Sequence, residues 1–317
     1  MDPDTFLVQD DVYLLVQALN TFALEVDAAG DRKDTLVNAG IHLAFRSKLI
    51  FGTSPHLFAN KLVAHFREYR VSEQQSAYHP LVSLLEYLLN AYELEDQDRK
   101  LFKRLVKQGQ ENFDGLTARS AVGRIESPMG ISMGTGVLVD MQLLLTCKHV
   151  FDRISDNGQD RAWVRFGYKT GKYGVEPGEL FELDLKTIVS NNAQPEHALD
   201  YALVRIIGQP EYRIAPLSDS WLNTMQSVRL VHHPRGEPLQ ISNVGQIVQV
   251  DKEYIKHNVK TDYGSSGAPI FDQDWRVVAI HRGTLSLSRP SAPGVTEGIP
   301  LYSFWNDIKP HLSMLVT

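Results

Sequence analysis

The chain has 317 residues, 43% hydrophobic and 22% charged, too long for one average domain and fitting for two. A net charge of -6 and a pI near 6.0 give no electrostatic reason to expect nucleic acid or an anionic membrane as partner, and no stretch approaches the length of a membrane span. The single cysteine, Cys147, excludes an intramolecular disulfide; with an acidic start, Met1-Asp2-Pro3-Asp4, that lacks an apolar signal region, it points to a reducing, cytoplasmic compartment.

Residues 1–108 read as helices. Val12, Leu15, Val16, Leu19 and Phe22 recur at three-four spacing after a possible Asp10 cap, and Ser54-Pro55 is a start signal for a helix carrying Phe58, Leu62, Phe66 and Tyr69. His79-Pro80 opens another with Leu81, Leu84, Leu85 and Leu88, and Leu101 and Leu105 belong to a last one. These stripes are the core of a small bundle. His42, His56, His65 and His79 show no compact metal-ligand spacing and read as structural.

The polar, Gly-containing segment 109–117 reads as a linker. From residue 118 to 317 the texture is that of short strands: 122–125, 136–139, 143–146, 162–166, 181–185, 201–206, 228–231, 246–250 and 277–280, separated by Gly, Pro, Asp and Asn. A helix-like tail over 302–312 closes the chain. Helices first and strands second imply two segregated domains, an α + β multidomain chain.

The second domain carries the chemistry. Gly264-Ser265-Ser266-Gly267-Ala268-Pro269 presents a serine between glycines, and upstream lie a His in Leu144-Leu145-Thr146-Cys147-Lys148-His149-Val150 and an Asp in Leu199-Asp200-Tyr201-Ala202-Leu203-Val204. A serine hydroxyl needs a base to take its proton as it attacks, and an imidazole held by a carboxylate supplies one. His149 is the candidate base, Asp200 its orienting group and Ser266 the nucleophile; the backbone N–H groups of Gly264 and Ser266 are candidate oxyanion donors. No metal or organic cofactor is implied, because the eleven His are scattered and no phosphate-cradling Gly-rich loop occurs. His232 and His233, adjacent on a strand, would point to opposite faces and hold no ion.

The His…Asp…Ser order and its flanks resemble the trypsin-like (chymotrypsin-fold) serine proteases. Gly134-Thr135-Gly136-Val137-Leu138-Val139, the Leu-Thr-x-x-His run ending at His149, Asp200-Tyr201-Ala202-Leu203 and the Gly264 to Pro269 loop each look like a segment of that family. The resemblance is closest to the disulfide-poor bacterial branch with the glutamyl endopeptidases, and it implies a double β-barrel with the triad in the cleft between barrels. Ser265 sits where the animal digestive enzymes have an Asp that pairs with a newly cut N-terminus, so that mode of activation is not implied. In the glutamyl branch, positions matching Thr261 and His281 line a pocket for an acidic P1 side chain; the resemblance therefore implies cleavage after Glu or Asp, with Arg282 adding positive potential.

Asp34 to Ile41, Phe51 to Val63 and His79 to Leu85 resemble the effector-associated domain of the first type, a death-like helical adaptor of bacterial conflict and defence systems. That resemblance implies a partner: another effector-associated-domain protein or an NTPase sensor, besides the protein or peptide substrate. Two further readings stay open from the residues, a catalytically idle barrel that binds peptide strands by β-addition, and a scaffold assembled through the helical domain.

Overall fold

The computed structural model describes residues 7, 9–25, 29–67, 69, 78–171, 173–190, 199–283 and 294–313, and divides the chain into two compact units, Met1–Leu116 and Thr117–Thr317. The first unit is helical: α1 Gln9–Glu25, α2 Ala29–Asn38, α3 Leu43–Arg46, α4 Pro55–Arg67, α5 Pro80–Ala91 and α6 Asp96–Ser120. The expected stripes form its core, with Leu15, Val16, Leu19, Phe58, Leu62, Phe66, Leu81, Leu84, Leu85, Leu88 and Leu105 all buried. The side chain of Phe22 lies outside the described residues, and so does the acidic start at residues 1–4. Asp10 is in the first turn of α1 rather than its cap. Two polar contacts tie the helices. Arg32, buried on α2, donates to Phe51 O (3.0 Å) and Thr53 O (2.7 Å) ahead of α4, and Arg104 meets Asp11 at 2.6 Å between α6 and α1. His79 caps α5, its Nδ1 accepting from Leu81 N–H at 3.1 Å, with burial holding the ring down at about 4.

Residues 109–117, expected to be a linker, lie inside α6. The physical reason is legible once the helix is seen: Phe102, Leu105, Gly109, Phe113 and Leu116 keep three-four spacing and are buried. The segment has no proline, and two glycines in a helix interior cost only about 1 kcal/mol each.

The second unit is two closed barrels. The first comprises β1 Val122–Glu126, β2 Ser132–Asp140, β3 Leu143–Thr146, β4 Ala162–Phe166, β7 Glu179–Val189 and β8 Ala202–Ile207, in the ring order β1-β2-β3-β8-β7-β4, with β4 returning to β1. A short helix, α7 Lys148–Asp156, follows β3, and a small hairpin, β5 Lys169–Gly171 with β6 Gly174–Glu176, stands apart. The second barrel comprises β9 Ser227–His232, β11 Gly245–Val250, β12 Ile255–His257, β13 Pro269–Phe271, β14 Val277–Gly283 and β15 Thr296–Pro300; pairing of β13 with β9 closes it, and β10 Gln240–Ile241 adds a short flap to β9. This is the chymotrypsin-like architecture. The tail is broken into two 3₁₀ turns around one short helix, α8 Trp305–Ile308, because Pro310 interrupts the expected helix.

One buried ion cluster braces the first barrel. Glu126 is fully buried on β1, where it meets Arg124 at 2.6 Å and Arg165 of β4 at 2.6 Å and accepts the Gly130 N–H at 2.6 Å. Burial pushes its carboxyl up, but the hydrogen bonds from Arg165, Gly130 and Arg124 and the charge of Arg124 outweigh it and hold the group at about 2, below its ordinary 4.5. A carboxyl with a lower pKa folded than unfolded stabilises the fold fully above its unfolded value and loses that contribution as pH falls from about 4.5 toward 2. Glu126→Gln should destabilise the second unit by about 3–5 kcal/mol at neutral pH, since two guanidinium groups would lose their counter-charge, and should flatten the acid limb of its stability; thermal unfolding against pH measures both.

Candidate active site

Strand register brings His149 and Asp200 together. The last residue of β3, Thr146, pairs with the first of β8, Ala202, so His149, three residues beyond, and Asp200, two before, leave the same end of one ladder. Cys147 occupies the N-cap of α7, which puts His149 in the first helical turn. Asp200 sits in a tight turn closed by Tyr201 N–H donating to Leu199 O (3.0 Å). Tyr201 is anchored in turn: its ring stacks on Phe304 at 4.3 Å and its hydroxyl donates to Asp307 Oδ2 at 2.7 Å.

The pair is tightly bonded. His149 Nδ1 lies 2.6 Å from Asp200 Oδ2, and the His149 backbone N–H donates to Asp200 Oδ1 at 2.9 Å. A carboxylate only accepts, so Nδ1 carries a proton; in the neutral imidazole Nε2 is then the acceptor. Burial pushes the Asp200 carboxyl up, but the hydrogen bonds and charge of His149, with Arg282, bring it below its ordinary value. His149 Nε2 is buried without a partner, a condition that costs about 1–3 kcal/mol and marks a group held ready for another atom.

Ser266 lies in the loop between β12 and β13. Its carbonyl accepts Thr135 N–H from β2 at 2.9 Å, Thr135 Oγ1 donates to Gly264 O at 2.9 Å, and Thr146 Oγ1 donates to Thr135 O at 2.7 Å. The next residue, Gly267, donates its N–H to His281 O at 2.8 Å, the same oxygen that Cys147 Sγ meets at 3.3 Å. The serine loop and the segment leading into His149 therefore share one acceptor. Gly264 and Gly267 have φ of +86° and +83°. A Cβ on Gly267 would stand 2.0 Å from Thr146 Oγ1 and 2.3 Å from Thr135 O, and one on Gly264 would stand 2.7 Å from His233 O, so both positions require glycine. Among the described residues, the backbone N–H groups of Gly264 and Ser266 and the Ser266 hydroxyl donate to no acceptor, and Ser266 and His149 are not hydrogen-bonded to each other.

Comparison with known proteins gives each unit a domain family. Residues 134–280 match the trypsin-like peptidase domain, and residues 9–119 match effector-associated domain 8. The chain thus joins a trypsin-like peptidase domain to an N-terminal effector-associated domain. The helical match is to the eighth type of that domain, which replaces the first type that the sequence resembled. Over 198 residues the protease is 29% identical to the uncharacterized protein y4fB of Sinorhizobium fredii, covering 53% of this chain and 28% of that protein. Over 188 residues it is 26% identical to a glutamyl endopeptidase of Staphylococcus aureus, covering 56% and 54%. The chain thus spans about half the length of these curated relatives or less. Among solved structures it is similar to the serine endoprotease from Yersinia pestis, with TM-score 0.48 and 18% identity over 63% of this chain and 65% of that one.

The other expected site residues are placed as follows. His281 is buried on β14, with Nδ1 3.1 Å from Nε2 of the buried His257 of β12; burial and the neighbouring His257, His232 and His149 push its ring well below the ordinary value. Thr261 is half-buried upstream of Ser266, its hydroxyl free of partners among the described residues. Arg282 contacts Asp200 Oδ2 through Nε at 3.2 Å. Ser265 is fully buried, bonded to His232 Nδ1 at 2.8 Å and accepting Asp262 N–H at 3.3 Å. His233 turns to Glu237 O at 3.0 Å. Sequence reasoning missed Thr135 and His257. The signal for Thr135 was its place between the two glycines of the Gly-x-Gly strand; His257 had none, being one of eleven scattered histidines.

Cys147, His149 and Asp200 are the one set among the described residues whose donor atoms all lie within 4.8 Å. They do not fit a metal: His149 and Asp200 are bonded to each other, and burial with the Asp200 charge pushes the Cys147 thiol well above its ordinary range, against thiolate formation. A thiol reagent should therefore find no reactive thiol in the native chain and one after denaturation. Thr135→Val, which keeps shape but deletes the bond to Gly264 O, should lower stability by about 1–3 kcal/mol, read as a fall in the thermal midpoint.

Proposed function

We propose that the protease unit is a serine endopeptidase in which His149, Asp200 and Ser266 act as a triad, cleaving after Glu or Asp, and that the effector-associated domain recruits it within a cytoplasmic bacterial defence system. The observation that supports this most is the 2.6 Å contact of His149 Nδ1 with Asp200 beside a buried, unpartnered Nε2. In the reaction, the Ser266 hydroxyl rotates to Nε2, gives it the proton and attacks the scissile carbonyl carbon. The oxygen that becomes negative accepts from the Gly264 and Ser266 N–H groups, which have no internal acceptor to give up. His149 then protonates the departing amine, and water completes the cycle by the same steps.

For P1, a carboxylate entering a largely buried pocket needs donors. The His281 ring and the free Thr261 hydroxyl are the residues proposed to supply them; the 26%-identical glutamyl endopeptidase supports the same assignment. A neutral imidazole at His281 donates from one ring nitrogen and can take up a proton when an acid arrives. The helical domain would bring the protease to another effector-associated-domain protein or an NTPase sensor, raising local substrate concentration to the order of millimolar. A second reading, a peptide-binding barrel without turnover, is favoured by the missing hydrogen bond between Ser266 and His149.

A fluorophosphonate probe and a P1-varied peptide panel separate the two. Labelling at Ser266 that is lost in His149→Ala, with hydrolysis falling about a millionfold in Ser266→Ala, supports the enzyme; no label and no hydrolysis in any form supports the binder. His281→Gln should reduce kcat/KM for Glu-P1 peptides about tenfold or more while changing Gln-P1 peptides little. Cleavage preferentially after Lys or Arg would remove the acidic-pocket assignment.

A further inference from the structure

Asp200 has one partner more than orienting an imidazole requires. Its Oδ2 receives both His149 Nδ1–H, at 2.6 Å, and Arg282 Nε–H, at 3.2 Å. The Arg282 side chain is only 26% exposed, and its Nη1 lies 3.8 Å from Oε2 of Glu297. Glu297 stands on β15 opposite Gly283 of β14, is 1% exposed, and neither of its carboxyl oxygens makes a hydrogen bond. An imidazole, a carboxylate, a guanidinium and a buried carboxyl therefore follow one another from the end of the first barrel into the second. Nothing in a β-barrel core calls for the last two; burying them carries a desolvation cost that only mutual pairing offsets.

We infer that Arg282 is a positioning residue for the proposed triad, clamping the Asp200 oxygen that receives the His149 proton and offsetting part of its charge, with Glu297 steadying the guanidinium. The inference rests on the triad reading, and it moves Arg282 away from the P1 pocket to which its charge alone had suggested it.

The sign of the effect follows from charge. When His149 takes the proton of Ser266, the new imidazolium is stabilised by Asp200. A guanidinium on the same oxygen weakens that stabilisation while fixing the carboxylate in place. Removing Arg282 lets the imidazole hold a proton to higher pH, so the acid limb of activity moves up. Removing Glu297's charge leaves Arg282 bound to Asp200 alone, and the limb moves down. The other titratable and charged groups around the site are Cys147, which feels Asp200, Arg282 and Arg153, and His281 on β14, which feels His257, His232 and His149, while Lys148 and Asp152 on α7 pair with each other on the exposed side. Burial holds His232 and His257 at about 4 and His281 well down, so Arg282 is the cation in contact with the carboxylate.

The test uses the full chain and two readouts, the kcat/KM–pH profile and the pH titration of the downfield His149 Nδ1 proton by NMR, assigned by its loss in His149→Asn. Arg282→Met should move both midpoints up by about half a pH unit or more, and Glu297→Gln should move them down. Arg282→Lys should restore the midpoint but not the full rate, since it keeps the charge without the planar clamp. Unmoved midpoints in these variants, or shifts of one sign in both Arg282→Met and Glu297→Gln, overturn the inference. Should Arg282→Met fail to fold, Glu297→Gln and Arg282→Lys decide alone. The NMR titration reads the imidazole whether or not any peptide is cut. Opposite NMR shifts without hydrolysis or Ser266 labelling would thus sink the enzyme reading and leave the electrostatic link standing.

Discussion

Everything proposed for the cleft depends on one residue of the first barrel, Thr135. Its N–H, carbonyl and hydroxyl are all used: the N–H on Ser266 O, the carbonyl by Thr146 Oγ1, the hydroxyl on Gly264 O. Through these bonds β2 carries the loop of the second barrel on its own backbone, and the last residue of β3 is locked to the same point. Three short hydrogen bonds would matter little on a surface; here they are buried, where an unmade partner costs more than the bond gains. Relative placement of the serine and histidine segments is thereby set by one backbone bond and two threonine hydroxyls.

The histidines of the second barrel show a division of labour. His232 holds the buried hydroxyl of Ser265, His233 turns to the carbonyl of Glu237, and His257 backs His281. In each case an imidazole kept neutral by burial acts as an ordinary donor-acceptor group. Ser265 is bonded to His232 and to the Asp262 N–H, a buried and uncharged pairing. Within the turn around Gly264 the Ser265 N–H donates to Asp262 O, while the Gly264 and Ser266 N–H groups donate to no acceptor among the described residues.

Much of this was legible in the sequence, for identifiable reasons. Nine strands fell where β-branched and aromatic runs sit between turn residues, and 143–146 and 162–166 were found to the residue because Cys147-Lys148 and Gly167 end them sharply. Strands β12 and β13, three residues each, were too short for periodicity to show, and α7 was hidden because a helix of nine residues beside a strand carries little of its own signal. The segment around Gly109 and Gly115 misled because local composition spoke of a loop while the apolar spacing, counted over a longer window, spoke of a helix. Arg282 followed the same logic: its charge was visible beside His281, but its partner, Asp200, lies 82 residues away and only the meeting of the two barrels brings it near.

Closure of both rings has a further consequence for a protein whose helical unit matches an effector-associated domain. Every long strand among the described residues has neighbours on both sides; the free edges belong to β10, of two residues, and to the β5–β6 hairpin, of three residues a strand with Lys169 and Glu176 paired across it. A ladder that short and charged is a poor template for strand exchange. Copies of this chain could therefore be crowded together without their sheets fusing.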